Sequence, residues 1–457
     1  MNREVNNMVN KEPAELISEI RRHLEQKILP FWEALKDNVY GGFYGYVGND
    51  LQLNRKADKG CILNSRILWF FSMAAAVLKR PDLRVYADHA YRFLDRFVDP
   101  ENGGLFWSVT YDGEPADTTK HTYCQAFAVY GLAAYYRLTG NPGALDRARS
   151  LFRVIEYKCR DKGGYLEAQK ADFTPETNEK LSENGVLASR TMNTLLHVIE
   201  AYAELYRARP DEQVRLAGKA GLRQCLEQVV NPAKRRLEVF FDDGWRPLLD
   251  MQSFGHDIEA AWLLWDAAET LILRPEERVP YRAMCLELLE SVTERGLTDR
   301  GLLYESVNGQ VSAHRAWWPQ AEAMLGFDFG RRITGDAVWL ERMEQQWEYI
   351  RRVFVDSRDG GEWFNELDAN GASLGKPEAD GWKCPYHNGR MCLRLIGEFA
   401  GAGERTGTIG RKESYDAGHR QGCGNQRGHG FQGAGGQNRH ERKASLKDSE
   451  KSGRNGL

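Results

Sequence analysis

A glycine turn that runs into aromatic residues occurs six times along this chain of 457 residues. The turns lie at Gly41–Tyr44, Gly103–Trp107, Gly163–Tyr165, Asp243–Trp245, Gly301–Tyr304 and Gly360–Phe364. They recur about every 60 residues, with one interval nearer 80. Between them, apolar residues at positions i, i+3, i+4 and i+7 predict two amphipathic helices per interval. Six such pairs predict a closed ring with inner and outer helices and a central funnel.

The helical pattern predicts about twelve helices, with a glycine turn after each odd-numbered helix and before each even-numbered one. Their predicted ranges are 13–36, 61–79, 82–98, 120–139, 143–160, 185–208, 211–230, 254–273, 278–295, 313–334, 336–356 and 384–400. The unusual polar and aromatic residues cluster near the starts of the even-numbered helices. We therefore expect the inner set to carry the functional residues.

Composition excludes several classes of partner. The formal net charge is −3, and the first 400 residues lack the basic stripe that nucleic-acid binding would require. Nucleic-acid binding is therefore not expected. The longest apolar run, Ile67 to Leu78, is interrupted by Ser72 and is too short for a membrane span. The polar stretch from Met1 to Glu15 has no signal-like apolar core, so a cytoplasmic location is expected. The eight cysteines include no Cys-x-x-Cys pair and are predicted to be free thiols.

The sequence changes character after residue 400. From Gly401 onward there is no tryptophan, and Tyr415 and Phe431 are the only aromatic residues in a stretch rich in Gly, Lys and Arg. Such a segment buries too little apolar surface to fold by itself. We predict one catalytic domain over residues 1–400 and a disordered tail over 401–457. A change of reading frame would produce the same composition.

Four histidines lie near the starts of even-numbered helices: His121, His197, His256 and His387. One histidine on an apolar helix is usually a satisfied core residue, but four at one structural position favour a functional role. Asn193 is four residues before His197, and Glu259 is three after His256, so each pair shares a helix face and can orient the ring. With no His-x-x-x-His pair or clustered ligand spacing, no metal site is expected.

Aromatic residues recur in the same register and suggest a sugar site. They are Trp69, Phe127, Trp262, Trp317, Trp318 and Trp382. Singly, each is typical of core packing. Neighbours on a helix point about 100° apart, so one of the adjacent tryptophans Trp317 and Trp318 is predicted to line the funnel. Polar residues that can bind hydroxyl groups accompany them: Arg66, Asn193, Gln320, Glu322, Asn388 and Arg390.

Together these motifs resemble a known family. The segments that carry the resemblance are Cys61–Trp69, Met192–Thr194 with His197, Gly255–Ala260, Trp317–Trp318 with Ala321–Glu322, and Trp382–Cys392. They are similar to those of the N-acylglucosamine 2-epimerase family, and within it to the cellobiose 2-epimerases. The resemblance runs from about residue 15 to residue 400.

The resemblance implies an all-α (α/α)6 barrel with short β-hairpins between helix pairs. It implies an isomerase that inverts C2 of the reducing-end aldose of β-1,4-linked disaccharides, without metal or cofactor. Cellobiose would give glucosyl-mannose, lactose would give epilactose, and mannobiose is a third substrate of this kind. A monomer without nucleic-acid or membrane partners is expected.

The resemblance also implies residue roles. His256 and His387 match the two acid/base histidines, and His197 matches a third that contacts the C1–O1 region and assists ring opening. Matching substrate-contacting positions are Arg66, Tyr123, Asn193, Glu259, Trp318 and Trp382. The helix register adds Phe127, Trp262, Trp317 and Glu322 as further candidate substrate-binding residues.

The chemistry of epimerisation at C2 explains why two histidines would be needed. Inverting C2 of an aldose requires ring opening, removal of the proton beside the carbonyl, and its return to the opposite face. Two groups of near-neutral pKa on opposite sides of a funnel can exchange the roles of base and acid. Arg66, Asn193 and the N-terminal ends of the inner helices are expected to stabilise the charged cis-enediolate.

Other functions remain open from the sequence. An N-acylglucosamine 2-epimerase or an aldose–ketose isomerase of the same family would use similar residues. An inverting glycosidase would need two separated carboxylates, for which Asp257, Glu259, Glu322 and Asp380 are candidates, but the histidines would then have no role. A non-catalytic sugar-binding protein would keep the aromatic residues and tolerate loss of the histidines.

Overall fold

Twelve helices in sequential pairs dominate the computed structural model, which describes residues 13–177, 180 and 185–409, with side chains as far as 400. Helix α1 is continuous through Pro13–His23, a π-helical turn at Leu24–Ile28, and Leu29–Ala34. The others are α2 (Cys61–Val77), α3 (Arg84–Phe93), α4 (Thr122–Thr139), α5 (Pro142–Lys158), α6 (Met192–Ala208), α7 (Glu212–Gln224), α8 (Phe254–Leu271), α9 (Val279–Arg295), α10 (Trp317–Thr334), α11 (Val338–Tyr349) and α12 (His387–Ile409).

The even-numbered helices form the inner layer. Helices α2, α4, α6, α8 and α10 pack on one another in order, and each outer helix packs on the inner helix before it. At the closure of the ring, Gly389 of α12 lies against α2, where a Cβ atom would come 2.6 Å from the Phe70 ring. The predicted (α/α)6 barrel is confirmed.

Inner and outer helices differ in burial because they differ in sequence. Helix α2 is apolar on all sides and also buries the polar residues Asn64, Ser65 and Arg66. Helix α5 is amphipathic, with Leu151 and Ile155 on its buried face. A helix that buries all its faces can carry polar groups into the interior, and this is where the site lies.

Predicted and observed helix ends agree within a few residues except at five places. The α-helical parts of α3, α7 and α11 end at Phe93, Gln224 and Tyr349, before the predicted ends, because 3₁₀ or π-helical turns follow them. Helix α6 begins at Met192, seven residues after the predicted start, because the preceding chain forms strand β6. Helix α12 continues to Ile409, nine residues beyond the predicted end. Backbone contacts place Arg405 as the last residue of the unit that contains the barrel. The predicted tail begins at residue 401, inside this helix, and from residue 410 onward it lies outside the described residues.

Short antiparallel strands join the repeats. They are β1 (Lys59–Gly60), β2 (Ser108–Val109), β3 (Pro115–Asp117), β4 (Lys120–His121), β5 (Ala168–Gln169), β6 (Arg190–Thr191), β7 (Val230–Asn231), β8 (Arg236–Leu237), β9 (Phe240–Phe241), β10 (Met251–Ser253), β11 (Leu297–Thr298), β12 (Gly301–Leu302), β13 (Glu305–Val307), β14 (Gln310–Val311), β15 (Arg315–Ala316) and β16 (Glu366–Leu367). Strands β1, β4, β6, β10 and β15 each precede an inner helix and pair with β2, β5, β9, β13 and β16, which lie after the next outer helix.

A repeated backbone hydrogen bond fixes the start of each inner helix. The first residue of the helix donates its N–H to a carbonyl in the following repeat: Cys61 to Trp107, Thr122 to Glu167, Met192 to Val239, Phe254 to Tyr304, and Trp317 to Asn365. The sixth contact closes the ring, because Val47 near the first turn pairs with Ala379 ahead of α12. Backbone hydrogen bonds to the neighbouring repeat thus fix the starts of the inner helices. The sequence predicts the functional residues at these helix starts.

The glycine turns have a steric reason. Gly42 has φ of +66°, and a Cβ atom there would come 2.4 Å from the Phe93 ring. Asp37 opens the same turn, and its Oδ1 accepts from the backbone N–H groups of Val39 and Tyr40. The turn therefore needs a glycine for space and an aspartate for capping.

The remaining expectations concern membranes and cysteines. Among the described helices, none combines the length and apolar character that crossing a bilayer requires. Seven cysteines lie in the described part of the chain, and all seven are buried free thiols.

Candidate active site

The N-terminal ends of the inner helices surround a funnel with a cavity volume of about 290 Å³. Ten residues predicted for the site line it. They are Arg66, Tyr123, Asn193, His197, His256, Glu259, Trp317, Trp318, Trp382 and His387. The sequence motifs, which are up to 321 positions apart, therefore converge on one cavity.

His256 lies in the first turn of α8. Its Nδ1 is 2.8 Å from the Oγ of Ser253, the N-cap residue of that helix. Burial, with a smaller contribution from His197, lowers the pKa of His256 to about 3. This pKa lies below the near-neutral value expected from the sequence, because the ring is buried. The ring is therefore neutral near pH 7, and the hydroxyl group of Ser253 fixes its orientation.

His387 is the first residue of α12 and has a different partner. Its Nδ1 lies 2.7 Å from Oε1 of Glu322 on α10. Burial and then the positive charges of Arg390 and Arg66 hold the pKa of His387 well below its usual value. A carboxyl partner can exchange a proton with Nδ1 near neutral pH, whereas the Ser253 hydroxyl group behind His256 only forms a hydrogen bond.

His197 is the third histidine of the funnel. Its Nδ1 lies 2.9 Å from Oε2 of Glu200, one helical turn further along α6. Burial lowers the pKa of His197, and the Glu200 carboxylate opposes that shift. Tyr123 and Phe127 contact the ring, with centroid distances of 5.1 Å and 4.8 Å. The ring is held firmly on the side away from the cavity.

These contacts correct the predicted orienting pairs. Asn193 does not bind His197, and Glu259 does not bind His256 through its carboxylate. Glu200 and Ser253 orient the two rings instead, because the side chains of Asn193 and Glu259 turn elsewhere. The helical spacing of three residues was the correct signal for both true partners.

Arg66 is a buried cation in the funnel wall. Its Nη2 donates to the hydroxyl oxygen of Tyr123 at 2.8 Å. Its guanidinium lies between the rings of Phe127 and Tyr386, 4.1 Å and 4.5 Å from their centroids. No carboxylate neutralises it among the described residues, so its charge is available to a developing anion.

Arg390 organises a second, carboxylate-rich cluster behind His387. Its Nη1 donates to Glu200 Oε1 at 2.6 Å, and its Nη2 donates to Glu259 Oε1 at 2.5 Å and Glu322 Oε1 at 2.7 Å. Burial raises the pKa of both Glu259 and Glu322, and repulsion from Glu322 adds to the shift at Glu259. We infer that this cluster retains a proton near neutral pH.

The same cluster meets the geometric requirement for a metal site. Ligand atoms of Glu259, Glu322 and His387 lie within 4.8 Å of one another. The guanidinium of Arg390 already donates to both carboxylates, so a fixed organic cation occupies the electrostatic role that a metal ion would take. This donor set does not favour a divalent ion, because two of its three ligands are committed.

Aromatic rings line the upper funnel. Trp318 contacts both catalytic candidates, with centroid distances of 4.7 Å to His256 and 5.4 Å to His387. Trp317 also lines the cavity, so both adjacent tryptophans reach the funnel rather than one. Trp382 is 38% exposed and packs edge-on against Trp107. It offers a ring face at the open end of the site.

Three predicted binding residues lie one layer behind the wall. Phe127 stacks under Arg66, and Trp262 donates its Nε1–H to Glu322 Oε2 at 2.9 Å. Glu322 joins Trp262, His387 and Arg390. Phe127, Trp262 and Glu322 therefore hold the lining residues in position. We do not expect these three side chains to contact the sugar directly.

Unsatisfied polar atoms mark where a ligand would bind. Asn193 Oδ1, Glu259 Oε2 and Arg66 Nε are buried and have no hydrogen-bond partner. All three residues line the funnel. Buried polar groups are normally paired, so these atoms are available to hydroxyl groups of a polyhydroxylated ligand.

Comparison with known proteins agrees with this geometry. The sequence model of the N-acylglucosamine 2-epimerase family matches residues 42–389. A cellobiose 2-epimerase of Eubacterium cellulosolvens is 44% identical over 82% of this chain and 97% of its own length. The solved cellobiose 2-epimerase of Bacillus thermoamylovorans is 41% identical, covers 84% of this chain and 100% of its own, and has a TM-score of 0.82. Bovine N-acylglucosamine 2-epimerase is 24% identical over 83% of this chain and 90% of its own length.

The inner-helix ends of this (α/α)6 barrel bring three histidines and Arg66 to one funnel, and solved sugar epimerases share the fold. The chain belongs to the N-acylglucosamine 2-epimerase family. It is an enzyme of the cellobiose 2-epimerase type, and its match to those relatives far exceeds its match to the bovine N-acylglucosamine 2-epimerase.

Proposed function

We propose that this enzyme inverts C2 of the reducing-end aldose of β-1,4-linked disaccharides, with cellobiose, lactose and mannobiose as substrates. One observation carries the proposal: Trp318 contacts both His256 and His387, so two neutral imidazoles share one aromatic floor in a cavity of sugar size. Named cellobiose 2-epimerases among the relatives support the choice of disaccharide.

Ring opening comes first. His197, fixed through Nδ1 by Glu200, presents its other nitrogen to the O1 hydroxyl group and takes that proton as the C1–O5 bond breaks. It then passes the proton to O5, which becomes the C5 hydroxyl group of the open chain. Arg66 then faces the carbonyl oxygen that forms at C1. Its uncompensated charge polarises this carbonyl and acidifies the proton on C2.

Proton exchange at C2 follows. His256 uses Nε2 to remove the C2 proton, while its Nδ1–H donates to Ser253 Oγ. The electron pair moves into the cis-enediolate. His387 returns a proton from Nε2–H to the opposite face of C2, and its Nδ1 receives a replacement from Glu322, to which we assign the proton of the carboxylate cluster. The roles of the two histidines reverse for the other epimer.

The intermediate needs stabilisation on its two oxygens. Arg66 and Asn193 both line the funnel, and Nε of Arg66 is a buried donor without a partner. Asn193 contributes as a donor through its amide NH₂ group, whereas its unpaired Oδ1 accepts from a sugar hydroxyl group. The starts of the inner helices add backbone N–H groups and a positive partial charge. We assign these groups to the enediolate.

The second sugar occupies the mouth. Trp382 is the most exposed of the lining tryptophans and stands beside Trp107. Stacking of the non-reducing sugar on this ring leaves the reducing sugar at the histidines. This arrangement supports a disaccharide over a single N-acylated sugar.

The glycosidase alternative fits the geometry poorly. An inverting mechanism needs carboxyl groups roughly 6.5–9.5 Å apart with a water between them. Glu259 and Glu322 bind the same nitrogen of Arg390 and lie within 4.8 Å of one another. Asp257 is buried and accepts hydrogen bonds from Leu237 and Gln252, so it is occupied elsewhere.

The decisive experiment incubates the enzyme with cellobiose in D₂O and separates the products. Epimerisation gives glucosyl-mannose with deuterium at C2. Free glucose would indicate a glycosidase, and an unchanged sugar would indicate a binding protein. A parallel incubation with N-acetylglucosamine tests the other activity of the family, and a ketose product would reveal aldose–ketose isomerisation.

A further inference from the structure

The fifth repeat lacks an ion pair that three other repeats share. In those repeats, a basic residue two positions before the inner helix pairs with the aspartate of the preceding glycine turn. The pairs are Lys59 with Asp37 at 2.6 Å, Lys120 with Asp99 at 2.9 Å, and Arg190 with Asp161 at 2.7 Å.

Arg315 occupies the basic position of the fifth repeat, two residues before α10. The turn residue that faces it in the repeat is Thr298, not an aspartate. Thr298 pairs with Gly301 across the β11–β12 turn, as Asp161 does with Gly164 in the third repeat. Arg315 has therefore lost its carboxylate.

In the described part of the chain no carboxylate forms an ion pair with Arg315, and Asp299 attracts it only from a longer distance. Nη1 of Arg315 reaches the carbonyl oxygens of Ala313 at 3.2 Å and His314 at 3.3 Å. Its Nε is buried without a hydrogen-bond partner. A guanidinium is always charged at physiological pH, so this group has unused donors and an unbalanced charge.

Arg315 opens into a cavity of about 680 Å³, more than twice the volume of the catalytic funnel. Three more arginines line it: Arg300 from the turn, and Arg342 and Arg352 from α11 and the π-helical turn that follows. Tyr349 lies between the last two on the same helical face.

The acidic residues of the cavity do not balance this charge. Glu348 is paired with Arg351 at 2.6 Å and with the lining Arg352 at 3.9 Å, and Asp368 accepts backbone N–H groups of Asn370 and Ala372. Asp299 is the third lining carboxylate, against four lining arginines. The cavity is therefore a positively charged compartment.

The cavity is separate from the funnel. Successive residues of a strand point to opposite faces, and in β15 Arg315 lines the cavity while Ala316 lines the funnel. A ligand in the cavity therefore does not occupy the substrate position.

We propose that this cavity binds a small phosphorylated molecule, whose phosphate group bridges Arg315 and Arg300 at the place where other repeats carry an aspartate. Arginine forks match the oxygens of a phosphate group. The volume exceeds that of a bare phosphate ion and falls within the range of small-molecule sites. Gln345 and Asn370 offer hydrogen bonds to hydroxyl groups of such a ligand.

The test measures binding of inorganic phosphate, glucose 1-phosphate and uncharged glucose by calorimetry, with cellobiose present to fill the funnel. Glucose 1-phosphate should bind more tightly than phosphate, and glucose should not bind. Thr298→Asp restores the aspartate of the other repeats and should weaken binding by about tenfold or more, as should Arg315→Gln.

Matched controls separate charge from disturbance. Thr298→Asn has the shape of the aspartate without its charge and should retain binding within about threefold. Arg246→Gln removes an exposed arginine that pairs with Asp242, and because neither residue lines the cavity this variant should bind as wild type does. Melting temperature and epimerisation of cellobiose verify the fold of each variant. Absence of binding by both phosphates, or equal binding by Thr298→Asp and wild type, overturns the proposal.

Discussion

Glu322 Oε1 and His387 Nδ1 lie 2.7 Å apart, so a carboxyl group stands directly behind one of the two candidate acid/base rings. His256 has only a hydroxyl group in that place, from Ser253. The two histidines therefore differ in their proton supply although burial lowers both pKa values. This difference supports the proton exchange that we propose.

Replacement of either ring should stop the reaction. His256→Asn or His387→Asn should lower kcat by about 10²–10⁴-fold, because general acid–base catalysis contributes that much. The rate of C2 deuteration of cellobiose measures the effect. His314→Asn is the control, since His314 bonds Ser312 and does not line the funnel. A folded variant of His256 or His387 with wild-type turnover would remove that residue from the mechanism.

Ser253 should act through His256. Ser253→Ala removes the 2.8 Å partner of Nδ1 and should lower kcat by about tenfold with little change in KM, since ring orientation matters most in the transition state. Ser253→Thr keeps a hydroxyl group and should recover much of the activity. Equal loss in both variants would point to packing rather than ring orientation.

The pH profile should report the buried groups. Protonation of the histidines lowers activity as pH falls, and because their pKa values are lowered, the acid limb of kcat/KM should lie below pH 6.5. Activity should also fall at alkaline pH as the Glu259 and Glu322 cluster, whose pKa values are raised, loses its proton. Glu322→Gln should alter the alkaline limb. A wild-type acid limb at or above pH 6.5 would be inconsistent with neutral buried rings.

Chelation should leave the enzyme active. Arg390 supplies the positive charge between Glu259 and Glu322, so the cluster does not need a divalent ion. Turnover of cellobiose after exhaustive treatment with EDTA should equal that of the untreated enzyme. Loss of activity that one particular divalent ion restores would show that the cluster is a metal site after all.

Removal of the predicted tail should have little effect. A chain that ends at Ala402 should keep its melting temperature within a few degrees and turnover within about twofold, because surface changes away from the core usually cost under about 0.5 kcal/mol. A second chain that ends at Ile409 retains all of α12 and controls for its last turns. Collapse of both variants would mean that later residues dock on the barrel.

The fold was readable from the sequence because its signals are local and repeated. Six glycine turns and a helical period predict the barrel, and the position of His256 and His387 at helix starts predicts the funnel. The partners of the rings were harder to predict. Glu200 and Ser253 have the required spacing of three, but so do Glu259 and other polar residues, and the direction of a side chain is set by packing.

Contacts between helices that are distant along the chain could not be predicted from the sequence. Arg390 joins carboxylates from α6, α8 and α10, and no spacing along the chain indicates which acids an arginine on α12 will meet. The same holds for Trp262, which carries an aromatic signal but faces Glu322. A buried indole N–H needs a hydrogen-bond acceptor, so the position of the nearest acceptor determines the orientation of the Trp262 ring.

The backbone bonds that tie each inner helix to the next repeat have a consequence for how activity can arise. Trp317 is placed by Asn365, Phe254 by Tyr304, and the circle returns through Val47 and Ala379. The inner helix of each repeat is therefore positioned in the funnel by a residue of another repeat. We therefore expect catalytic activity only when all six repeats are present. A fragment that lacks one repeat also loses the alignment of the neighbouring inner helix. Separated halves of the chain should regain turnover only when they reassemble.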